Sequence, residues 1–159
     1  MLSLLGTRGV EEAWSDRRNS QGHVGIPLVS ADFIDSIPMM SRLLKEWGVD
    51  VTSLVNENSP EVEVQSSGKM AGLFYVYNAL TAVDQKERKI ISAQDFVKAY
   101  KVKTVFSLGG VYLGKTLFTT IIFTNELLEK SFISKFLPLV YYFKTATLKM
   151  VLEGKIFNR

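Results

Sequence analysis

Residues 103–124, KTVFSLGGVYLGKTLFTTIIFT, set two runs of β-branched and aromatic residues on either side of a glycine-containing connection, the pattern of a β-hairpin. Upstream, AGLFYVYN (71–78) alternates so that Leu73, Tyr75 and Tyr77 share one face and Phe74 and Val76 the other. Both faces are apolar, which predicts a central strand covered on each side. Phe33, Ile34, Ile37, Met40, Leu44 and Trp47 fall on one helical face, with Ser30 placed to cap the start and Gly48 to end it. Pro38 interrupts that pattern: it either kinks the helix or begins a second part at the first turn. A short helix over 93–100 is predicted next, with Ser92 as N-cap and Phe96, Val97 and Tyr100 facing inward. The last element is a long amphipathic terminal helix over 127–152, with Pro138 as its expected kink.

Between these elements the pattern is weaker. Residues 49–55, VDVTSLV, fit a short strand or the start of a helix; 56–60 reads as a turn, and Val62 and Val64 give an edge-strand signal that Ser66, Ser67 and Gly68 break. Residues 84–89, DQKERK, are a charge run read as a solvated loop. Residues 1–28 carry glycines at 6, 9, 22 and 25 around a polar middle, so an ordered arm is expected there, anchored by Trp14, Ile26, Pro27 and Leu28. Helices, strands, hairpin and helix in this order describe an α+β domain, an antiparallel β-sheet with helices packed on its faces.

Composition narrows the function. At 159 residues, 47% hydrophobic and 22% charged, the chain is that of a globular protein long enough for one domain with its own core. Nineteen basic against sixteen acidic residues leave a formal charge of +3, scattered rather than striped, so a nucleic-acid surface is not expected. With no cysteine and one histidine, disulfides, thiolate catalysis and cysteine- or histidine-rich metal sites are excluded. The N-terminal MLSLLGTRG lacks the apolar core of a signal peptide, and Lys135, Lys144 and Lys149 interrupt the most apolar region, so a soluble cytoplasmic protein without membrane insertion is expected.

One stretch has a catalytic form. Residues 109–116, GGVYLGKT, satisfy G-x-x-x-x-G-K-[ST], the loop whose backbone N–H groups cradle phosphates in nucleotide hydrolases. That loop must open a helix, yet Leu117, Phe118, Thr119, Thr120, Ile121, Ile122 and Phe123 resist helix and suit a strand. A hairpin turn is therefore expected, with a nucleotide-binding enzyme using Gly114, Lys115 and Thr116 as the alternative.

Taken together, LLGTRG and WSDRRNSQGHVGIPL in the arm, IPMMSRLLKEWGVDV (37–51), FYV (74–76), ISAQDFV (91–97), Tyr100, TVFSLGG and LFTTIIFT resemble the GAF-like sensory domains of multidomain bacterial signalling proteins, which occur beside PAS, histidine kinase or cyclic-nucleotide-forming output domains. The resemblance spans almost the whole chain. It departs where DQKERK replaces a shorter small-residue loop, where Tyr77 stands in place of a proline, and where Leu113, Gly114 and Lys115 replace a proline-serine-glycine type of turn. It implies a GAF/PAS-like fold over residues 1–159 and a non-enzymatic role in sensing a small molecule or binding a signalling protein such as a histidine kinase. No cofactor or ligand is named by it.

Such a sheet implies a ligand held between one face and the helices and loops above it. Tyr75, Tyr77, Phe106, Ser107 and Gln94 are the candidates, with His23 in the arm; for the tyrosines the plainer reading is a core aromatic with a satisfied hydroxyl, and for Gln94 a helix-start hydrogen bonder. His23 also raises the alternative of a haem or flavin redox sensor, against its plainer role of anchoring the glycine-flanked arm. Tyr141, Tyr142, Phe143, Leu148, Val151 and Leu152 make the last helix apolar around much of its circumference, which points to a homodimer through terminal helices.

Overall fold

The computed structural model describes residues 1–21, 24–49, 71–112 and 116–157. Its centre is a three-stranded antiparallel meander, β3 (Gly72–Val76), β4 (Thr104–Val111) and β5 (Leu117–Thr124), in the order β3-β4-β5. β4 and β5 form the expected hairpin, from Thr104 opposite Thr124 to Val111 opposite Leu117. β3 pairs with β4 with Phe74 opposite Ser107 and Tyr75 opposite Phe106. Among the described residues the central strand is thus β4, not β3 as its two apolar faces suggested.

Residues opposite one another in antiparallel strands share a face, so the register sorts the side chains. Gly72, Phe74, Val76, Val105, Ser107, Gly109, Thr119, Ile121 and Phe123 form the first face; Leu73, Tyr75, Phe106, Leu108, Phe118 and Ile122 form the second.

The first face lies under α1 (Ala31–Asp35) and α2 (Pro38–Glu46). Ser30 caps α1, its side chain accepting from Phe33 N–H at 3.0 Å, and Pro38 opens α2 at its first turn, so of the two readings of Pro38 the second holds. A proline cannot donate to the preceding turn, but at the first position that donor is not needed. Gly48, at φ +70, takes the left-handed turn that ends the helix. Leu43, Leu44, Met40 and Trp47 are buried on Phe74, Val76 and Val105, while Phe33, expected on this face, is exposed. A Cβ at Gly72 or Gly109 would collide with the Trp47 indole, so glycine at these two paired positions is what lets the ring lie against the strands.

The chain between β3 and β4 also packs on the first face. α3 (Gln94–Ala99) buries Val97, and Phe96 meets Phe123 edge to face at 5.6 Å. Two expectations fail here. Ala93, not Ser92, precedes the helix, without a side-chain cap, and Tyr100 is exposed, meeting Trp14 of the arm edge to face at 4.5 Å. The arm is more regular than expected: β1 (Leu2–Ser3) pairs with β2 (Gly25–Ile26), and short 3-10 turns cover Glu12–Ser15 and Arg17–Asn19.

The second face lies under α4 (Lys130–Ser134) and α5 (Pro138–Leu152). The single helix expected over 127–152 is therefore two helices, again with proline at the first turn of the second. The architecture is α+β, an antiparallel sheet with helices on both faces. The readings made for residues 50–70 lie outside the described residues.

Candidate functional site

The candidate ligand residues do not converge on one place. Tyr75 and Phe106 sit opposite each other on the second sheet face, and Tyr77 continues that side of the strand, its ring 6.5 Å from that of Tyr75. Ser107 points to the first face, fully buried, and its Oγ has no hydrogen-bond partner; Trp47 Nε1 and Thr119 Oγ1 on the same face are likewise unpartnered. Gln94 belongs to neither face: its amide donates to the carbonyls of Ala79 at 3.2 Å and Ile91 at 2.6 Å, tying α3 to the preceding loop as a helix-start hydrogen bonder does. His23 lies outside the described residues.

The second face is thus where three candidates gather, and its polar geometry is specific. The Tyr75 hydroxyl donates to the Leu128 carbonyl at 2.7 Å, while Leu128 N–H donates to Thr104 Oγ1 at 3.0 Å. Thr104, buried at the start of β4, in turn donates to the Tyr77 carbonyl at 3.2 Å. Both backbone groups of Leu128 are therefore held from the sheet, two residues before α4 begins. Burial pushes the Tyr75 phenol up from its ordinary value, and the nearby Glu129 and Tyr77 push the same way, so this hydroxyl stays a neutral donor. Alternation put Tyr75 on the face it occupies, and its satisfied hydroxyl matches the plainer reading of a core aromatic; Thr104, whose partner lies 24 positions away, was not singled out.

At the other end of β4, Lys144 Nζ donates to the Val111 carbonyl at 2.6 Å and lies 5.8 Å from the centre of the Tyr112 ring. Its pKa is lowered by burial. The Tyr112 hydroxyl bonds Thr147 Oγ1, which already donates to the Phe143 carbonyl, so Tyr112 is the donor. Phe118 stacks between Tyr112 and Phe143, with ring centroids at 5.6 and 4.5 Å. These contacts hold the middle of α5 against the far end of β4.

The phosphate-loop geometry is not met. Gly109 and Gly110 lie in β4 opposite Thr119 and Phe118, and strand β5, not a helix, follows Thr116. Tyr112 N–H donates to the Thr116 carbonyl at 2.8 Å, closing a hairpin. Leu113, Gly114 and Lys115 themselves lie outside the described residues. No group of metal-ligating side chains and no helix long and apolar enough to cross a membrane occurs among the described residues.

The charge run 84–89 is docked rather than freely solvated. Asp84 accepts from the backbone N–H groups of Lys86 and Arg88, both at 2.9 Å, and pairs with the Arg88 guanidinium at 2.7 Å, folding a tight turn in which Glu87 sits at φ 60. From that turn Lys86 reaches Asp35 at 2.6 Å, and Arg88 donates to the Asp35 carbonyl at 2.8 Å. Asp35 also accepts from Ser41 at 3.0 Å and Lys45 at 3.2 Å. Hydrogen bonds from Lys86, Ser41 and Lys45 hold its carboxyl well below the usual carboxylate range, against the opposing effect of burial.

Set against known protein families, curated proteins and solved structures, the chain matches none. Fold and site define an α+β domain whose antiparallel sheet is closed on one side by a packed core and covered on the other by two C-terminal helices.

Proposed function

We propose that the chain is a non-enzymatic input domain of bacterial signal transduction, GAF-like in kind, which senses a small molecule or a signalling protein and works as a pair of identical copies joined through α5. The carrying observation is the outer surface of α5. Leu139, Tyr141, Tyr142, Leu148, Met150 and Leu152 are all exposed, while Val140 alone is buried. Tyr141, Thr145, Leu148 and Leu152 follow one another at steps of four, three and four, the spacing of a helix–helix seam. A surface this apolar fits a second copy related by two-fold symmetry.

The resemblance in the sequence supports the sensing role, as does the gathering of Tyr75, Tyr77 and Phe106 on the sheet face beneath the helices. Ligand binding there would shift the balance between helix arrangements by binding one of them more tightly. A histidine kinase is the partner that the resemblance implies.

Sedimentation analysis of the full chain and of Leu148→Glu, with mass spectrometry for a co-purifying small molecule, tests the reading. A dimer that Leu148→Glu dissociates is expected. A monomer at every concentration, with no bound molecule and no response to a metabolite panel or to candidate kinases, would overturn it.

A further inference from the structure

We propose that the segment from Leu128 to Leu152 is a lid over the second sheet face, turning about Leu128 and latched at its far end by Lys144 and Thr147. α2 buries Pro38, Met39, Met40, Ser41, Leu43 and Leu44, whereas α4 and α5 together bury only Ile133 and Val140. A segment with so few buried apolar contacts belongs to the low-stability end of a structure and opens before the core does.

Polar contacts then set where it stays and where it lets go. At the near end the chain arrives from β5, and Tyr75 and Thr104 hold both backbone groups of Leu128. Covalent continuity and two hydrogen bonds make that the fixed end. At the far end α5 is held to the tip of the hairpin by Lys144 on the Val111 carbonyl and by Tyr112 on Thr147. Breaking these frees α5 while leaving the strand ladder β3-β4-β5 whole, because neither contact belongs to that ladder. What is uncovered is the floor of Leu73, Tyr75, Phe106 and Phe118. The lid gives that face an entrance, and it requires neither a ligand nor pairing, so its test is separate from the test of the function proposed above.

Native-state hydrogen exchange on the full chain, followed in dilute solution where sedimentation shows monomer and residue by residue, is the measurement. In the parent protein α5 amides are expected to exchange through a smaller opening than those of β4. Tyr112→Phe removes the hydroxyl donor while Thr147 keeps its bond to Phe143, and it should speed α5 exchange about fivefold, the worth of one neutral hydrogen bond. Lys144→Met should do at least as much. β4 amides should stay within about twofold in both variants, since their opening is set by the core. Exchange of α5 and β4 in step, with both variants shifting the two together, would show one cooperative unit and overturn the lid; so would α5 rates that neither variant changes.

Discussion

The two faces of the sheet are covered by helices on opposite terms. On the first, α2 inserts Leu43, Leu44 and Trp47 completely, and Gly72 and Gly109 give up their side chains so that the indole can lie against the strands. On the second, α4 and α5 lie over the sheet but insert only Ile133 and Val140, and directed hydrogen bonds donated by Tyr75, Tyr112 and Lys144 and accepted by Thr104 supply the positioning. Apolar burial is strong and undirected; a hydrogen bond is weak in net energy and strict in geometry. A face built by the first means holds the fold, and a face built by the second can release its cover without losing the fold.

The largest expected effect tests that contrast directly. Leu43 and Ile133 are both fully buried, one under each set of helices. Leu43→Ala opens a hole in a close-packed region that cannot collapse, and should cost about 4 kcal/mol; Ile133→Ala lies under a cover able to settle, and should cost about 2 kcal/mol. Urea unfolding measures both. Equal costs would mean that the two faces are welded alike.

Tyr75→Phe comes next. It keeps the ring against Phe106 and removes the donor to Leu128, leaving that carbonyl without its partner, and should cost about 1 kcal/mol. A loss confined to the amides of residues 128–137 would place the clamp where the geometry puts it. No loss at all would mean that the near end of the cover is held by packing alone.

How much of this was legible follows from the range of each signal. The hairpin, the two-faced strand and the Ser30 cap are written in local patterns, because period and capping oxygens act within a few residues. Pro138 shows the limit: its place inside an apolar run was legible, but whether it kinks a helix or starts one depends on the turn before it. The candidate site was half legible. Alternation puts Tyr75 and Tyr77 on one face, but that Phe106 joins them while Ser107 turns to the other face depends on register with β3, a contact between positions more than thirty apart. The run DQKERK looked solvated for the same reason. Its partner, Asp35, stands 51 positions before Lys86, and nothing in a charge run announces which carboxylate it will meet.

That rim of charge gives the smallest effect and the sharpest division between the faces. Asp35 beside the first face has a folded-state pKa below its unfolded value, near 3.9, so its contribution is fully present above about pH 4 and is lost as the pH falls through the folded value. Asp35→Asn should therefore be less stable than the parent at neutral pH, by less than Tyr75→Phe costs. The gap should shrink below about pH 4 and also with added salt, since Lys45 and Lys86 are largely exposed. Asp16, held down to about 2 by Arg18, titrates across the same range in both proteins and cancels from the difference. The clamp at Leu128 involves a neutral phenol and a hydroxyl, neither of which changes charge in acid, so the Tyr75→Phe gap should stay flat over the same pH range. Thermal melts of the three proteins from pH 7 to pH 3 read both gaps. A Tyr75→Phe gap that narrows alongside that of Asp35→Asn would show that charge holds the second face as well, and the distinction between the faces would fail.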